Sequence, residues 1–149
     1  MFVLFGAILF SRFMAITKIP FLLSGWIGSL KVPKEVIMLL IVFIHLVGGC
    51  FMDGLAMIML TVPILVPTIV SMGYSLIWFG ILVTLVVEMA AITPPVGINV
   101  YVIKGIATDV PLETIFKGIF PFLWALIGVT ALIIFFPKVT LFLPGLLTF

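Results

Sequence analysis

The chain has 149 residues, of which 65% are hydrophobic and 8% are charged, and its net charge is +2. A soluble domain carries about 25% charged residues, so this composition excludes a soluble globular protein. The small, scattered charge does not favour a nucleic-acid partner, and the single cysteine excludes an internal disulfide. The composition therefore predicts an integral membrane protein in a lipid bilayer, and its spanning segments are predicted to be helices.

The N-terminal segments predict one span and one surface helix. Residues 1–18 are apolar enough for a transmembrane helix, with Arg12 and Lys18 near its end able to reach the membrane interface. Pro20 interrupts this run. Residues 20–31 are too few to cross a bilayer, and they predict a helix that lies along its surface.

Residues 36–70 predict a re-entrant hairpin. The apolar run over residues 36–47 covers roughly 18 Å as a helix, about half of a membrane. It stops at GGCFMDG, residues 48–54, which is the predicted tip, and a second apolar run leads back to the turn SMGYS. Asp53 at the tip has two possible roles, as an N-cap of the returning helix or as a functional carboxylate, and the two are compatible.

Residues 76–107 predict one discontinuous transmembrane helix, broken at TPPVG. Pro94 and Pro95 cannot continue a helix, and hydrocarbon tolerates a broken backbone only where protein or polar groups receive it. A further span is predicted over residues 114–136, with Pro121 near its start and an apolar tail after it. Unwound carbonyls suit a cation, and the N-terminus of a restarting helix suits an anion, so a broken helix beside a hairpin tip favours a transport site.

Three stretches carry a resemblance to a known family. They are GGCFMDGLAMIMLTVPILVP at 48–67, FGILVTLVVEMAAITPPVGINVYVIKGIA at 79–107, and FPFLWALIGV with FPKVTLFLPGLL near the end. Together they resemble the C-terminal part of the large membrane subunit of TRAP transporters, the tripartite ATP-independent periplasmic transporters. The resemblance covers nearly the whole chain, and the spacing between its GxxxDG and TPPVGxN elements makes it specific.

The resemblance implies one inverted-repeat half of an elevator-type ion-transporter fold, located as a multi-pass protein in the bacterial inner membrane. It implies sodium-coupled import of organic acids, such as C4-dicarboxylates or sialic-acid-like carboxylates, and no enzymatic activity. The implied partners are a small membrane subunit and a soluble periplasmic substrate-binding protein. Family members are much longer than this chain, so the resemblance also implies a missing N-terminal half of the large subunit.

The predicted site joins the hairpin tip to the break in the helix. Backbone carbonyls and neutral side-chain oxygens suit Na⁺, and the predicted ligands are Gly49, Asp53, Thr93, Pro94 and Asn99. The restarting helix is predicted to bind a substrate carboxylate at Val96, Gly97 and Asn99, through its free N–H groups. No cofactor is expected beyond Na⁺ as the coupling ion. Glu88, two helical turns before the break, is predicted to lie too far away to be a ligand.

Several polar residues also have simpler interpretations. Glu88 is either functional or a satisfied structural carboxylate. His45 is interpreted as a core-facing or hydrogen-bonded histidine, and Cys50 as a small residue at the tip. Pro63 and Pro67 are interpreted as kinks that shape the returning arm of the hairpin.

Three classes of function are compatible with a membrane protein of this kind. The alternative to a transporter subunit is a truncated or split-gene membrane protein with only a structural or assembly role. An intramembrane protease would need a second acid facing Asp53, and the sequence shows no second catalytic signature.

The membrane orientation has two opposed predictions. The positive-inside rule makes one face cytoplasmic, the face with Arg12, Lys18, Lys31, Lys34 and Lys138, and the resemblance implies the reverse.

Overall fold

The computed structural model describes residues 2–94 and 96–147, and this part of the chain is helical apart from short connections. Pro95, the second proline of the predicted break, lies outside the described residues. The helices are α1 (Phe2–Thr17), α2 (Ile19–Ser29), α3 (Lys34–Phe51), α4 (Gly54–Ser71), α5 (Leu76–Ile92), α6 (Ile98–Ile106), α7 (Leu112–Phe135) and α8 (Pro137–Leu147). The prediction of an all-helical protein is confirmed for these residues.

The lengths and surfaces of the helices match a membrane environment. Among the described residues, α3, α4 and α7 are long and apolar enough to cross a bilayer, and the bent pair α1–α2 would make a fourth span. Large apolar side chains cover the outside, and Phe2, Ile16 and Ile106 are 95%, 80% and 82% exposed. Such a surface needs lipid or further protein around it. The chain is a multi-pass membrane protein, as predicted.

Helices α1 and α2 meet at a sharp bend. Their axes differ by 62°, and only Lys18 separates them. Lys18 has a left-handed backbone with φ of 56°, and Pro20 follows in the first turn of α2. Both helices pack against α4, and the Ser24 hydroxyl donates to the Ser71 hydroxyl oxygen over 3.0 Å. The placement of α2 along the membrane surface stays a prediction.

Helices α3 and α4 form a hairpin that differs in two ways from the prediction. The predicted half-length first arm is wrong, because α3 has 18 residues, as does α4, and so spans about 27 Å. The predicted tip over residues 48–54 is also too long, since α3 continues through Gly48 and Gly49 to Phe51. The connection is reduced to Met52 and Asp53. Both glycines stay helical, and neighbouring elements approach them closely where a side chain would otherwise stand.

Helix α5 is the centre of the packing. It contacts α3, α4, α6, α7 and α8, and the largest buried side chains in this region include Trp78, Phe79 and Leu82. The Trp78 indole N–H donates to the Ile133 carbonyl of α7 over 2.9 Å. That carbonyl would otherwise accept from the residue four positions on, which is Pro137 and has no N–H. The indole therefore satisfies a buried acceptor that the proline leaves open.

The C-terminal region corrects two further predictions. Helix α7 begins at Leu112, so Pro121 lies inside the helix rather than near its start. The predicted apolar tail forms a separate helix, α8, which begins at Pro137. Proline is well tolerated at the first position of a helix, where its missing N–H has no partner to lose. Pro137 therefore ends α7 and begins α8.

Candidate cation-binding site

The hairpin connection packs tightly on the last two turns of α5. A Cβ atom added to Gly49 would lie 2.7 Å from the Ala90 Cβ, and one added to Gly54 would lie 2.5 Å from Val87 Cγ1. Real Cβ atoms do not approach so closely, so glycine is required at both positions. The two glycines bring the end of α3 and the start of α4 against α5, just before the break.

The hairpin connection offers oxygen atoms on both sides. Asp53 caps α4, since one of its carboxylate oxygens accepts from the Ala56 N–H over 3.2 Å. The Gly48 carbonyl accepts from the Met52 N–H at 3.0 Å, which is the last helical bond of α3. The carbonyls that follow, beginning with that of Gly49, have no intrahelical donor. Asp53 therefore has the capping role, and its second oxygen is open to another ligand.

The break after α5 also frees a carbonyl. The Ala90 carbonyl would normally accept from residue 94, but Pro94 has no N–H, and the Thr93 N–H donates to it instead at 3.1 Å. The Ala91 carbonyl has no helical donor for the same reason, because residue 95 is also proline. The Thr93 hydroxyl donates to the Met89 carbonyl over 2.6 Å.

Gly97 allows the second half of the broken helix to start close to the first. Its φ is 54°, a left-handed conformation that suits glycine. A Cβ atom there would lie 3.4 Å from both the Ile92 and the Thr93 carbonyl oxygens. The first turn of α6 therefore sits directly against the carbonyl end of α5, and the Cys50 thiol from the hairpin lies 3.9 Å from the Pro94 carbonyl.

These elements line a partly open cavity of about 280 Å³. It is walled by the hairpin connection, by one face of α5 and by the start of α6. The lining residues are Gly49, Met52, Asp53, Gly54, Leu55, Ile58, Val87, Glu88, Ala91, Ile98 and Asn99. Two of them carry a carboxylate, one carries an amide, and the described lining includes no lysine or arginine. This chemistry favours a cation.

The comparison with known families agrees with the architecture. Residues 1–139 match the family described as "Tripartite ATP-independent periplasmic transporter, DctM component". The chain belongs to the large-permease family of TRAP transporters. The sequence-based recognition of this family is thereby confirmed.

Individual TRAP permeases are similar to the chain over nearly its whole length. It is 33% identical to the sialic acid TRAP transporter large permease protein of Vibrio cholerae, over 95% of the chain and 33% of that protein. It is 30% identical to the C4-dicarboxylate TRAP transporter large permease protein of Pseudomonas aeruginosa, over 97% of the chain and 34% of that protein. It is also 30% identical to the isethionate TRAP transporter permease protein of Oleidesulfovibrio alaskensis, over 93% of the chain and 22% of that protein. The chain thus spans about a third, or less, of the length of these relatives.

The structure of this TRAP permease chain brings together three of the residues predicted for the site. Gly49, Asp53 and Asn99 line the cavity. Four other predicted residues are absent from its described lining, and these are Thr93, Pro94, Val96 and Gly97. They form the adjacent break, so their contribution to a ligand shell remains a prediction.

Glu88 is where the sequence reasoning and the structure disagree. Glu88 lines the cavity, although its distance from the break along the helix suggested otherwise. The reason is that the hairpin connection lies beside the last two turns of α5 rather than beyond its end. Ala91, three residues later, faces the same cavity and was not predicted. The signal for Glu88 was present, since a carboxylate in an apolar helix is a functional candidate in itself.

Proposed function

We propose that this chain is the C-terminal portion of a sodium-coupled secondary transporter subunit that imports organic carboxylates across the bacterial inner membrane. Its partners in this proposal are the N-terminal remainder of a large permease, a small membrane subunit and a soluble periplasmic binding protein. The observation that carries the proposal is the cavity between hairpin and broken helix, with Asp53, Glu88 and Asn99 on its walls. Such junctions are where secondary transporters bind coupling ions and substrates.

In this proposal Na⁺ is held by oxygen atoms from both elements. The hairpin supplies the Gly49 carbonyl and the open oxygen of Asp53. The broken helix supplies the Ala91 carbonyl, the backbone at Thr93 and Pro94, and the amide oxygen of Asn99. Neutral oxygens replace the hydration shell of the ion, and the two carboxylates of Asp53 and Glu88 attract its charge into the cavity.

The substrate carboxylate is proposed to bind next to this ion, at the start of α6. The first N–H groups of that helix have no intrahelical acceptors and carry the positive end of its dipole. Val96, Gly97 and Asn99 provide this surface. A bound cation nearby would strengthen the attraction, which gives a physical reason for coupling between sodium and substrate.

The hairpin is proposed to re-enter the membrane rather than cross it, although each arm is long enough to cross. Both a re-entrant and a spanning hairpin place Lys34 and Ser75 on the same face of the membrane, so labelling these two ends cannot distinguish them. The accessibility of the connection between the two arms does distinguish them. Single cysteines at Met52 and Leu55, in a Cys50→Ala background, should react with a membrane-impermeant maleimide from the same face as a cysteine at Ser75. Reaction only from the opposite face would show that both arms cross.

We expect the chain to transport nothing by itself. An inverted-repeat site takes ligands from both halves, and this chain supplies one of them. Proteoliposomes with the purified chain should show no uptake of C4-dicarboxylates or sialic acid under an inward sodium gradient. Co-expression with the N-terminal remainder of a related large permease, its small subunit and its binding protein should give sodium-dependent uptake.

The controls for this experiment distinguish two explanations for an absence of uptake in the co-expression experiment, failed assembly and assembly without transport. The intact related permease should be active in the same vesicles, and pull-down of the N-terminal remainder should report assembly. Assembly without uptake would favour the structural role over the transport role. Uptake by the chain alone would contradict the requirement for a second half.

A further inference from the structure

The hairpin contains a polar pair, a buried histidine and a half-buried threonine, that the proposed transport site does not use. His45 is 1% exposed on α3, and its Nε2 atom lies 2.8 Å from the Thr61 hydroxyl on α4. Its Nδ1 atom lies 2.9 Å from the Ile41 carbonyl, one turn back in α3. The Thr61 hydroxyl is in turn 2.7 Å from the Met57 carbonyl. The imidazole thus links the two arms, consistent with its interpretation as a hydrogen-bonded histidine.

Counting the protons in these three hydrogen bonds shows which protonation state of the His45 ring they require. A carbonyl only accepts, so the contact with Ile41 requires a proton on Nδ1. The single proton of Thr61 can be donated either to the Met57 carbonyl or to Nε2, but not to both. If it is donated to Met57, then Nε2 must carry a proton of its own. All three hydrogen bonds exist together only when the ring is doubly protonated.

The neutral ring is also accommodated, at the loss of one weak bond. Rotation of the Thr61 hydroxyl turns its proton toward Nε2, which then accepts. The Met57 carbonyl keeps its helical N–H donor, so little is lost there. One proton can therefore be bound or released without moving any heavy atom, only by rotation of a hydroxyl group.

Within the described lining of a small cavity, His45 and Thr61 are the residues with polar side chains. The cavity, of about 180 Å³, is lined by Ile41, Ile44, His45, Thr61, Ile64 and Leu65. The ionisable groups of the elements packed on α3 are Asp53 at the head of α4 and Glu88 in α5, and Lys34 and Glu35 begin α3 itself. Tyr74, in the turn before α5, also belongs to this packed region. The described lining contains none of these groups, so the proton acceptors and donors are those of the pair and its two carbonyls.

We propose that His45 and Thr61 form a proton-binding site between the arms of the hairpin. When occupied, the site carries a full positive charge on α3, one helical turn before Gly49, or roughly 6 Å along the axis. Such a charge opposes a cation in the neighbouring cavity. This last consequence rests on the proposed function, whereas the proton site does not.

The experiment uses the purified chain in lipid nanodiscs, labelled with ¹⁵N-histidine and carrying a purification tag without histidine. Because His45 is the single histidine, one set of ring signals is observed. The neutral ring is expected to be protonated at Nδ1 and to become doubly protonated on acidification between pH 8 and 4. A neutral ring protonated at Nε2, or no protonation in this range, would overturn the proposal without any variant.

Two substitutions of Thr61 give the matched comparison. Thr61→Val has nearly the same shape but removes the hydroxyl, and proton binding should weaken at least tenfold because the charged ring loses its acceptor. Thr61→Ser keeps the hydroxyl and should bind the proton within about threefold of the original chain. Equal proton binding by Thr61→Val and the original chain would refute the site.

Exchange of potassium for sodium tests the proton site and the proposed sodium site separately. Replacing KCl by NaCl at constant ionic strength should weaken proton binding at His45 if Na⁺ occupies the neighbouring cavity. If sodium has no effect while Thr61→Val still weakens proton binding, the proton site stands and the neighbouring cavity of the isolated chain does not bind Na⁺.

Discussion

Gly49→Ala is expected to reduce sodium-dependent uptake by the assembled transporter at least tenfold. The new Cβ atom would lie 2.7 Å from the Ala90 Cβ, and both atoms are fixed to helical backbone, so α3 must move away from α5. That movement separates the hairpin connection from the face of α5 that carries Glu88 and Ala91. Uptake measured against protein abundance in the membrane tests this expectation.

The neighbouring glycine provides the control. A Cβ atom on Gly48 would meet only the terminal atoms of the Met57 side chain, at 2.7 Å and 3.0 Å. A methionine end moves easily, so Gly48→Ala should keep at least half of the uptake. Ala90→Gly combined with Gly49→Ala should restore activity, because it removes the opposing carbon. If Gly48→Ala and Gly49→Ala behave alike, close packing at this point does not control the site.

Asp53→Asn is expected to raise the sodium concentration needed for half-maximal uptake at least tenfold. Asparagine is as good an N-cap as aspartate, so the helix α4 keeps its cap while the cavity loses a negative charge. Asp53→Ser also keeps a cap without the charge and should behave similarly. Sodium titration of uptake in vesicles, with abundance measured in parallel, distinguishes loss of cation binding from loss of folding.

The remaining site residues are expected to give graded effects in the same assay. Glu88→Gln removes the second cavity carboxylate and should also raise the sodium requirement. Asn99→Leu should do so as well, by removing an amide oxygen. Thr93→Val should have the smallest effect, because its hydroxyl already donates to the Met89 carbonyl. An unchanged sodium requirement in both Asp53→Asn and Glu88→Gln would rule out this cavity as the cation site.

The sequence predicted those features of the fold that depend on local chemistry. The break at Pro94 follows from a missing N–H. The structure adds that the helix restarts after Gly97 with a left-handed backbone, at a φ of 54°. The helix ends at Gly48 and Gly49 were misplaced because glycine has two uses. It can interrupt a helix, or it can stay helical where another helix approaches, and only the packing partner Ala90 distinguishes them.

The set of residues that line the cavity depends on tertiary contacts, which no local sequence pattern indicates. Asp53 and Asn99 were found because each lies beside a conspicuous glycine or proline element. Glu88 and Ala91 were not assigned, because the position of the hairpin connection alongside α5 is a tertiary contact between segments far apart in the chain. Likewise, the residues after the last predicted span were interpreted as an apolar tail, and the helix that begins at Pro137 was missed.

The bend at Lys18 holds two helices against the same neighbour, α4. Helices α1 and α2 both lie against α4, and a single residue joins them, so the three helices close a triangle with no slack loop in it. We therefore expect that a displacement of α4 would disturb the packing of both α1 and α2, because both helices lie against it.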